Sequence, residues 1–121
     1  MTEKENKKPY DLEKRSFDFA KAVRVFVRQL PRTLGNMEDG RQLIRSSGSV
    51  GANYIEANEA LGKKDFLMRI RISRKEAKES RYWLGLIHAG TEERLEAERD
   101  VLIREATELM NIFGAILRKS S

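Results

Sequence analysis

Hydrophobic residues recur every three to four positions along most of this chain, the spacing that places side chains on one face of an α-helix. Over residues 11–30, at about 100° per residue, one stripe contains Leu12, Phe19, Val23, Phe26 and Leu30. Pro31 ends this predicted helix, since proline has no amide hydrogen to continue it. A second helix is predicted over residues 37–60, and its inward face holds Leu43, Val50, Tyr54, Ala57 and Leu61.

Two further helices follow by the same criterion. After a turn at Gly62, a helix is predicted over residues 63–89, with a core stripe of Phe66, Ile70, Ala77 and Leu84, flanked by Ser73 and Ser80. Gly90 and Thr91 form a C-cap and an N-cap back to back, which predicts a stop and an immediate new start. The fourth helix carries Leu95, Leu102, Ala106, Leu109, Phe113 and Leu117 on its stripe.

The short connections determine the predicted fold. Helices of about 30 to 40 Å joined by a few residues must lie antiparallel to their neighbours. We therefore expect an all-α protein, an antiparallel up-down-up-down four-helix bundle, with residues 11–119 as one domain and residues 1–10 as a flexible arm.

One stretch of the second helix, "RSSGSVGANYIEANEA" at residues 45–60, is rich in weak helix formers. Gly48 and Gly51 fall in one sector with Ile44 and Ile55, where missing side chains let another backbone pack closely. A phosphate-binding loop is disfavoured, because the stretch lacks the GxxxxGK[ST] spacing and a preceding strand. A GxSxG nucleophile turn would also need a strand and an acid–histidine pair. The pattern favours close helix packing.

The third helix has a second apolar stripe, roughly opposite its core stripe. It consists of Met68, Ile72, Trp83 and Leu86. A lone bundle would leave these side chains in water, and an exposed apolar surface containing tryptophan is typical of a protein contact. We expect a subunit interface here; cover by loops or by the N-terminal arm is the alternative.

Cations gather between the two stripes. This basic ridge consists of Lys63, Lys64, Arg71, Arg74, Lys75, Lys78 and Arg81, with Tyr82 among them. Its charges repel one another unless an anion neutralises them, and a nucleic-acid backbone does so with release of counterions. Two alternatives stay open: a solvated face, or matching by the acidic residues 91–108, within or between subunits.

The amino-acid composition and net charge exclude only a few classes of protein. The 121 residues are 40% hydrophobic and 36% charged, with a net charge of +5 and a pI near 9.6, which allows an anionic partner. There is no cysteine, no apolar run of the roughly 20 residues that span a bilayer, and no apolar signal in the polar start of the chain. We expect a cytoplasmic protein.

Residues for catalysis or metal binding are scarce. His88 is the only histidine, and at a helix end it is more typical of a dipole partner than of a base or ligand. Glu56 and Glu59, like Glu76 and Glu79, are three residues apart, but a di-iron bundle also requires a histidine at such spacing. We expect no metal, no cofactor and no enzymatic activity.

The run "LIRSSGSVGANYIEANEALGKKDFLMRIRISRKEAKESRYWLGLI", residues 43–87, resembles a bacterial four-helix-bundle family. It is also called the 23S ribosomal RNA intervening-sequence protein family, and its marks are "GANYIEA", "KKDFL" and "EAKESRYWL". The first helix, "YDLEKRSFDFAKAV" followed by a proline, is in register with it, so the resemblance covers about residues 10–117. Four motif positions match, and we interpret them as packing and assembly residues: Asn53, Glu56, Tyr82 and Trp83.

The resemblance implies an up-down bundle in a homopentameric ring, with no established catalytic residues. Some members are encoded within insertions in large-subunit ribosomal RNA genes, and a related branch comprises accessory proteins of diversity-generating retroelements. We therefore expect a non-enzymatic oligomer that binds RNA or DNA backbone through the basic ridge, without reading sequence. The rival hypothesis is a protein-interaction scaffold, such as an accessory subunit of a reverse transcriptase.

Overall fold

Residues 11–120 form a bundle of four α-helices. The structure, a computed structural model, describes residues 11–120, and the predicted arm over residues 1–10 lies outside this part. The helices are α1 (Leu12–Arg28), α2 (Leu34–Asn58), α3 (Lys63–Leu86) and α4 (Glu93–Ser120). No residue between 11 and 120 is in a strand. The all-α class predicted from the sequence is confirmed.

Contacts between the helices show that neighbours run antiparallel. Near the start of α1, Arg15 reaches Glu105 near the middle of α4, whereas Gln29, just after α1, accepts a hydrogen bond from Arg94 in the first turn of α4. The same order holds between the other neighbours, and α2 packs most extensively against α3. The predicted up-down-up-down arrangement is therefore confirmed.

The predicted apolar stripes form the core. All five stripe residues of the first predicted helix are buried, although Leu30 lies just beyond the end of α1, and so are Ile70, Ala77 and Leu84 of α3 and most of the stripe of α4. Leu61 is the exception: the sequence placed it on the inward face of α2, but its side chain is fully exposed. The reason is that α2 ends at Asn58, so Leu61 lies in the connection to α3.

Serine side chains join α2 to α3 inside the bundle. The hydroxyls of Ser46 and Ser80 lie 2.8 Å apart, and Ser73 donates to the carbonyl of Val50 at 2.9 Å. All three serines are fully buried. Because a serine is small and can bond to the backbone of a neighbouring helix, these positions allow α2 and α3 to approach closely without leaving a buried hydroxyl unpaired.

Two predicted helix ends lie three residues away from the observed ends. α2 begins at Leu34 rather than near residue 37, because the Thr33 side chain accepts the amide hydrogen of Asn36 and caps the helix. α3 ends at Leu86 rather than at residue 89, since Ile87 is extended, with φ −65° and ψ 137°. Burial of the Ile87 side chain holds it there.

The predicted pair of caps at Gly90 and Thr91 was also wrong. Gly90 does adopt a left-handed conformation, with φ +82°, but four residues after α3 has ended. Thr91 does not cap α4, which begins at Glu93. The two residues lie inside a six-residue connection, residues 87–92, instead of forming an immediate stop and start.

The connections at one end of the bundle are tied together by Asn36. Its side-chain amide donates to the carbonyls of Pro31, at 2.9 Å, and His88, at 2.7 Å. Its side-chain oxygen accepts the amide hydrogen of His88 at 2.9 Å. One buried asparagine thus joins the α1–α2 connection to the α3–α4 connection, a role that the sequence pattern did not indicate.

Candidate nucleic-acid interface

The basic ridge occupies one long side of α3. The helix is continuous from Lys63 to Leu86, so residues at helical spacing stay on one side over its whole length. Six of the seven ridge residues are exposed, and only Arg81 is half-buried. From Lys63 to Arg81 the ridge spans about 27 Å, at about 1.5 Å per residue.

One edge of the ridge lies next to α4, and the rest of it is exposed to solvent. At its inner edge Arg81 contacts the hydroxyl of Thr107 at 3.4 Å. About two turns away, the guanidinium Nε of Arg74 would lie 3.6 Å from a Cβ placed on Gly114. These two arginines lie along α4, and the other five ridge residues are exposed to solvent.

No residue of the ridge forms an ion pair with any residue in the described range 11–120. The acidic residues of 91–108 pair elsewhere. Those with a partner are Glu92 and Glu98 with Arg94, Glu96 with Arg99, and Glu105 and Glu108 with Arg15. Within one chain, these acids are therefore not the counter-charges of the ridge.

The strongest of these pairs joins α4 to α1. The Arg15 guanidinium donates to both carboxylate oxygens of Glu105, at 2.7 and 2.9 Å, and to Glu108 at 2.6 Å. The hydrogen bond to Glu105 is the main reason that the pKa of Arg15 is raised above its ordinary value. This arginine takes two carboxylates of α4 away from the side where α3 lies.

The second apolar stripe of α3 is divided in the structure. Met68 and Leu86 are exposed, at 44% and 51% of their surface. Ile72 is half-buried, and Trp83 is half-buried and packs against the bundle's own core. The indole nitrogen of Trp83 is enclosed and has no hydrogen-bond partner in the described part of the chain. The subunit interface stays a prediction, and Met68 and Leu86 are the two members that face outward.

The predicted close packing involves the two glycines differently. A Cβ on Gly51 would lie 3.2 Å from the Cβ of Ser16 and 3.8 Å from its carbonyl carbon, so the α1 backbone approaches here. At Gly48 the nearest atom is the flexible end of Arg24, at 3.4 Å. Gly51 is therefore the position where the absence of a side chain sets the distance between α1 and α2.

An apolar groove beside these glycines was missed by the sequence reasoning. It lies between α1 and α2, measures about 810 Å³, and is lined by Phe17, Ala20, Ala52 and Ile55 among others. Phe17 and Ile55 are exposed, at 61% and 45%. The available signal was that Phe17 lies off the core stripe of α1, an apolar residue without a predicted partner.

The family can be assigned from the sequence as a whole. The sequence model described as 23S rRNA-intervening sequence protein matches residues 8–114. The chain belongs to this family. The resemblance noted from "GANYIEA", "KKDFL" and "EAKESRYWL" is thereby confirmed.

A solved structure of similar fold supports the assignment to the 23S rRNA-intervening sequence family. It is a protein of unknown function from the S23 ribosomal protein family of Bacteroides thetaiotaomicron VPI-5482. The two chains are 28% identical and superpose with a TM-score of 0.75, over 87% of this chain and 96% of that one. No curated protein matches the chain.

Few side chains of this family member suggest other chemistry. His88 lies beyond the end of α3 and is exposed, and within residues 11–120 only its backbone forms hydrogen bonds, both with Asn36. Between residues 11 and 120 no three histidine, aspartate or glutamate side chains are placed to hold a metal ion together. None of the helices in that range is long and apolar enough to cross a membrane.

Proposed function

We propose that this member of the 23S rRNA-intervening sequence family is a non-enzymatic oligomer that binds the backbone of RNA or DNA through the basic ridge of α3. One observation carries the proposal: the ridge holds seven cations without an ion pair in residues 11–120, while the nearest acidic helix pairs with Arg15, Arg94 and Arg99. A polyanion would supply the counter-charges that residues 11–120 do not.

Simple electrostatics favours a phosphate backbone as this polyanion. Cations held on a rigid helix repel one another, and each neutralised phosphate also releases condensed counterions. The ridge is about 27 Å long, which matches roughly eight nucleotides of a strand at about 3.4 Å each. The names of the family and of the S23 neighbour both refer to the ribosome, so RNA is the first probe to use.

Binding is tested by titrating a fluorescent RNA and a DNA of equal length between about 50 and 200 mM salt. The wild type should bind more weakly as salt rises, with a linear dependence of log K on log salt. The variant Arg71→Ala/Lys75→Ala/Lys78→Ala should lower that slope by about one for each phosphate that the protein no longer neutralises. Because backbone contacts carry no sequence information, unrelated sequences of equal length should bind alike.

The control variant removes the same charge elsewhere. Arg28, Arg32 and Arg104 lie outside α3 and form no ion pair within residues 11–120. Arg28→Ala/Arg32→Ala/Arg104→Ala should keep most of the salt slope. Equal losses in the two variants would show a general charge effect and refute a role for the ridge. Absent or salt-insensitive binding would refute the proposal and favour the scaffold hypothesis.

The proposed oligomer would place several ridges on one particle and raise the effective affinity by multivalency. Met68 and Leu86 face outward beside the ridge, and they are the residues we propose at the subunit contact. Light scattering should show an assembly for the wild type, and smaller particles for Met68→Gln/Leu86→Gln. Trp83→Ala is less informative, because Trp83 also packs on its own core. A monomeric wild type would refute the assembly.

A further inference from the structure

Tyr82 is an exposed aromatic residue within the basic ridge. Its side chain is 61% exposed, so the bundle itself covers little of the ring. On the α3 helix it lies one turn after Lys78 and two turns after Lys75, on the side that faces solvent. A large exposed ring beside cations without ion pairs in residues 11–120 is not required by the packing of the bundle.

The ring of Tyr82 is held in place by its neighbour. The Tyr82 and Trp83 rings meet edge to face, with centroids 5.1 Å apart and planes at 76°. Trp83 is itself fixed, since it packs against the core. Whichever ring presents its edge, at least one face of the Tyr82 ring stays clear of Trp83. The geometry therefore offers a positioned aromatic face to a flat partner.

The charges around Tyr82 indicate what kind of partner that is. Side chains one turn apart on a helix have Cβ atoms about 5–6 Å apart, so Lys78 borders the ring directly. A protein partner that covered the ring would have to desolvate Lys78 and Lys75 as well. A nucleic-acid strand instead brings phosphates to the cations and a base to the ring, the combination found in proteins that bind single strands.

Resting on the proposed function, we infer that Tyr82 stacks on an unpaired base at the C-terminal end of the basic ridge. The ridge therefore prefers single-stranded RNA or DNA, or a loop, over a duplex in which the bases are already stacked. Because every base has an aromatic face, this contact adds affinity without reading sequence. Tyr82 is a binding residue in addition to the phosphate-binding cations.

The test compares strands that differ only in their bases. A single-stranded oligouridylate of about 12 nucleotides is compared with a backbone of the same length without bases, and with a duplex. The variants are Tyr82→Phe, which keeps the ring, and Tyr82→Leu, which keeps an apolar side chain but no ring. Phe17→Leu is the matched control, since Phe17 is an equally exposed aromatic residue, 61%, on α1.

The wild type and Tyr82→Phe should bind the base-bearing strand at least about fivefold more tightly than the abasic backbone. Tyr82→Leu should lose that preference, with its salt slope unchanged, and Phe17→Leu should keep it. The chain has a single tryptophan, so emission from Trp83 reports on the adjacent ring. It should change with the base-bearing strand and not with the abasic one.

The outcomes separate this inference from the proposed function. If neither strand binds in a salt-dependent way, the basic ridge is not a nucleic-acid interface and both proposals fail. If both strands bind equally well in the wild type, phosphate binding stands and stacking on Tyr82 is refuted. If Tyr82→Leu dissociates the oligomer while the preference for bases persists, Tyr82 is an assembly residue and the inference is overturned.

Discussion

The charged residues on the two flanks of α3 differ in whether they have partners within the described part of the chain. On the flank that faces α2, Arg69 donates to the side chain of Asn53 at 3.0 Å, and Glu76 and Glu79 lie 3.6 and 3.3 Å from Arg45. On the other flank, the cations of the basic ridge have no ion pair within residues 11–120. Both flanks belong to one helix, so the difference comes from what α2 and α4 present to it.

This difference suggests that the two flanks of α3 have different roles, one in folding stability and the other in binding. Charges that have partners inside the chain help to hold α3 against α2, and removing one leaves another unpaired. Charges without partners contribute little to folding and repel each other, but they remain available to a molecule from outside. Substitutions on the α2 flank should therefore change the free energy of unfolding, and substitutions on the ridge should change binding. Four sets of variants test this division and the packing of α2 beside it.

The largest effect on the free energy of unfolding is expected at the buried serines between α2 and α3. Ser80→Leu should lower the free energy of unfolding by about 3 kcal/mol, because the added volume has no space beside Ser46 and the hydrogen bond is lost. Urea unfolding measures it. Lys78→Leu, on the ridge, should change the same quantity by less than about 0.5 kcal/mol. Similar unfolding midpoints for the two variants would contradict the division between flanks.

Arg45→Ala should have a smaller effect, about 1 kcal/mol of destabilisation. Glu76 is only 6% exposed and its Oε1 atom accepts no hydrogen bond within residues 11–120, so Arg45 is its nearest opposite charge there. The size is limited because Arg45 itself is half exposed to solvent. Adding Glu76→Gln should restore most of the stability, as a neutral amide needs no counter-charge. A double variant that unfolds as easily as Arg45→Ala would show that the charge of Glu76 is not the cause.

Gly85→Ala should stabilise the protein slightly, by roughly 0.5 kcal/mol. Gly85 is exposed on α3, and no atom of residues 11–120 lies within 4 Å of where its Cβ would be. Gly51→Ala is the matched comparison on α2: its Cβ would meet Ser16 at 3.2 Å, so the gain in helix propensity should be lost to crowding. Thermal unfolding distinguishes them. A gain of equal size at both positions would mean that Gly51 does not set the helix spacing.

The smallest change in stability is expected on the ridge itself. Lys75→Ala/Lys78→Ala should leave the free energy of unfolding within about 0.5 kcal/mol of the wild type, with any shift towards higher stability as repulsion decreases. Urea unfolding measures this, and the same protein should bind RNA more weakly. A marked loss of stability in this variant would show that the two lysines have a structural partner, and would weaken the case for an external anion.

Much of the bundle could be predicted from the period of apolar residues. The stripe of α1 and the buried face of α3 follow directly from about 3.6 residues per turn, which is a local property. The helix ends depend on tertiary contacts. The Arg99 guanidinium donates to the carbonyl of Ile87 at 2.7 Å, and burial of Ile87 and Ala89 keeps the chain extended where the pattern continued. The pattern does not show such a long-range bond.

Part of the candidate site could also be predicted from helical spacing. That the ridge cations share one side of α3 is a consequence of helical spacing alone. Which acids they meet depends on how α4 is rotated about its own axis, and this rotation directs Glu105 and Glu108 towards Arg15. Trp83 illustrates the limit: the wheel placed it on an outer stripe, but its large ring reaches back to the core.

The side-chain amide of Asn36 ties the connections together at one end of the bundle only. It secures both connections at one end of the bundle, so α1 and α2 cannot separate there without also releasing the connection between α3 and α4. At the opposite end the α2–α3 turn, with Leu61 in water, has no such clasp among residues 11–120. Local unfolding should therefore begin at the end with the α2–α3 turn and spread towards Asn36. The backbone amide protons near Asn36 should be among the last to exchange with solvent.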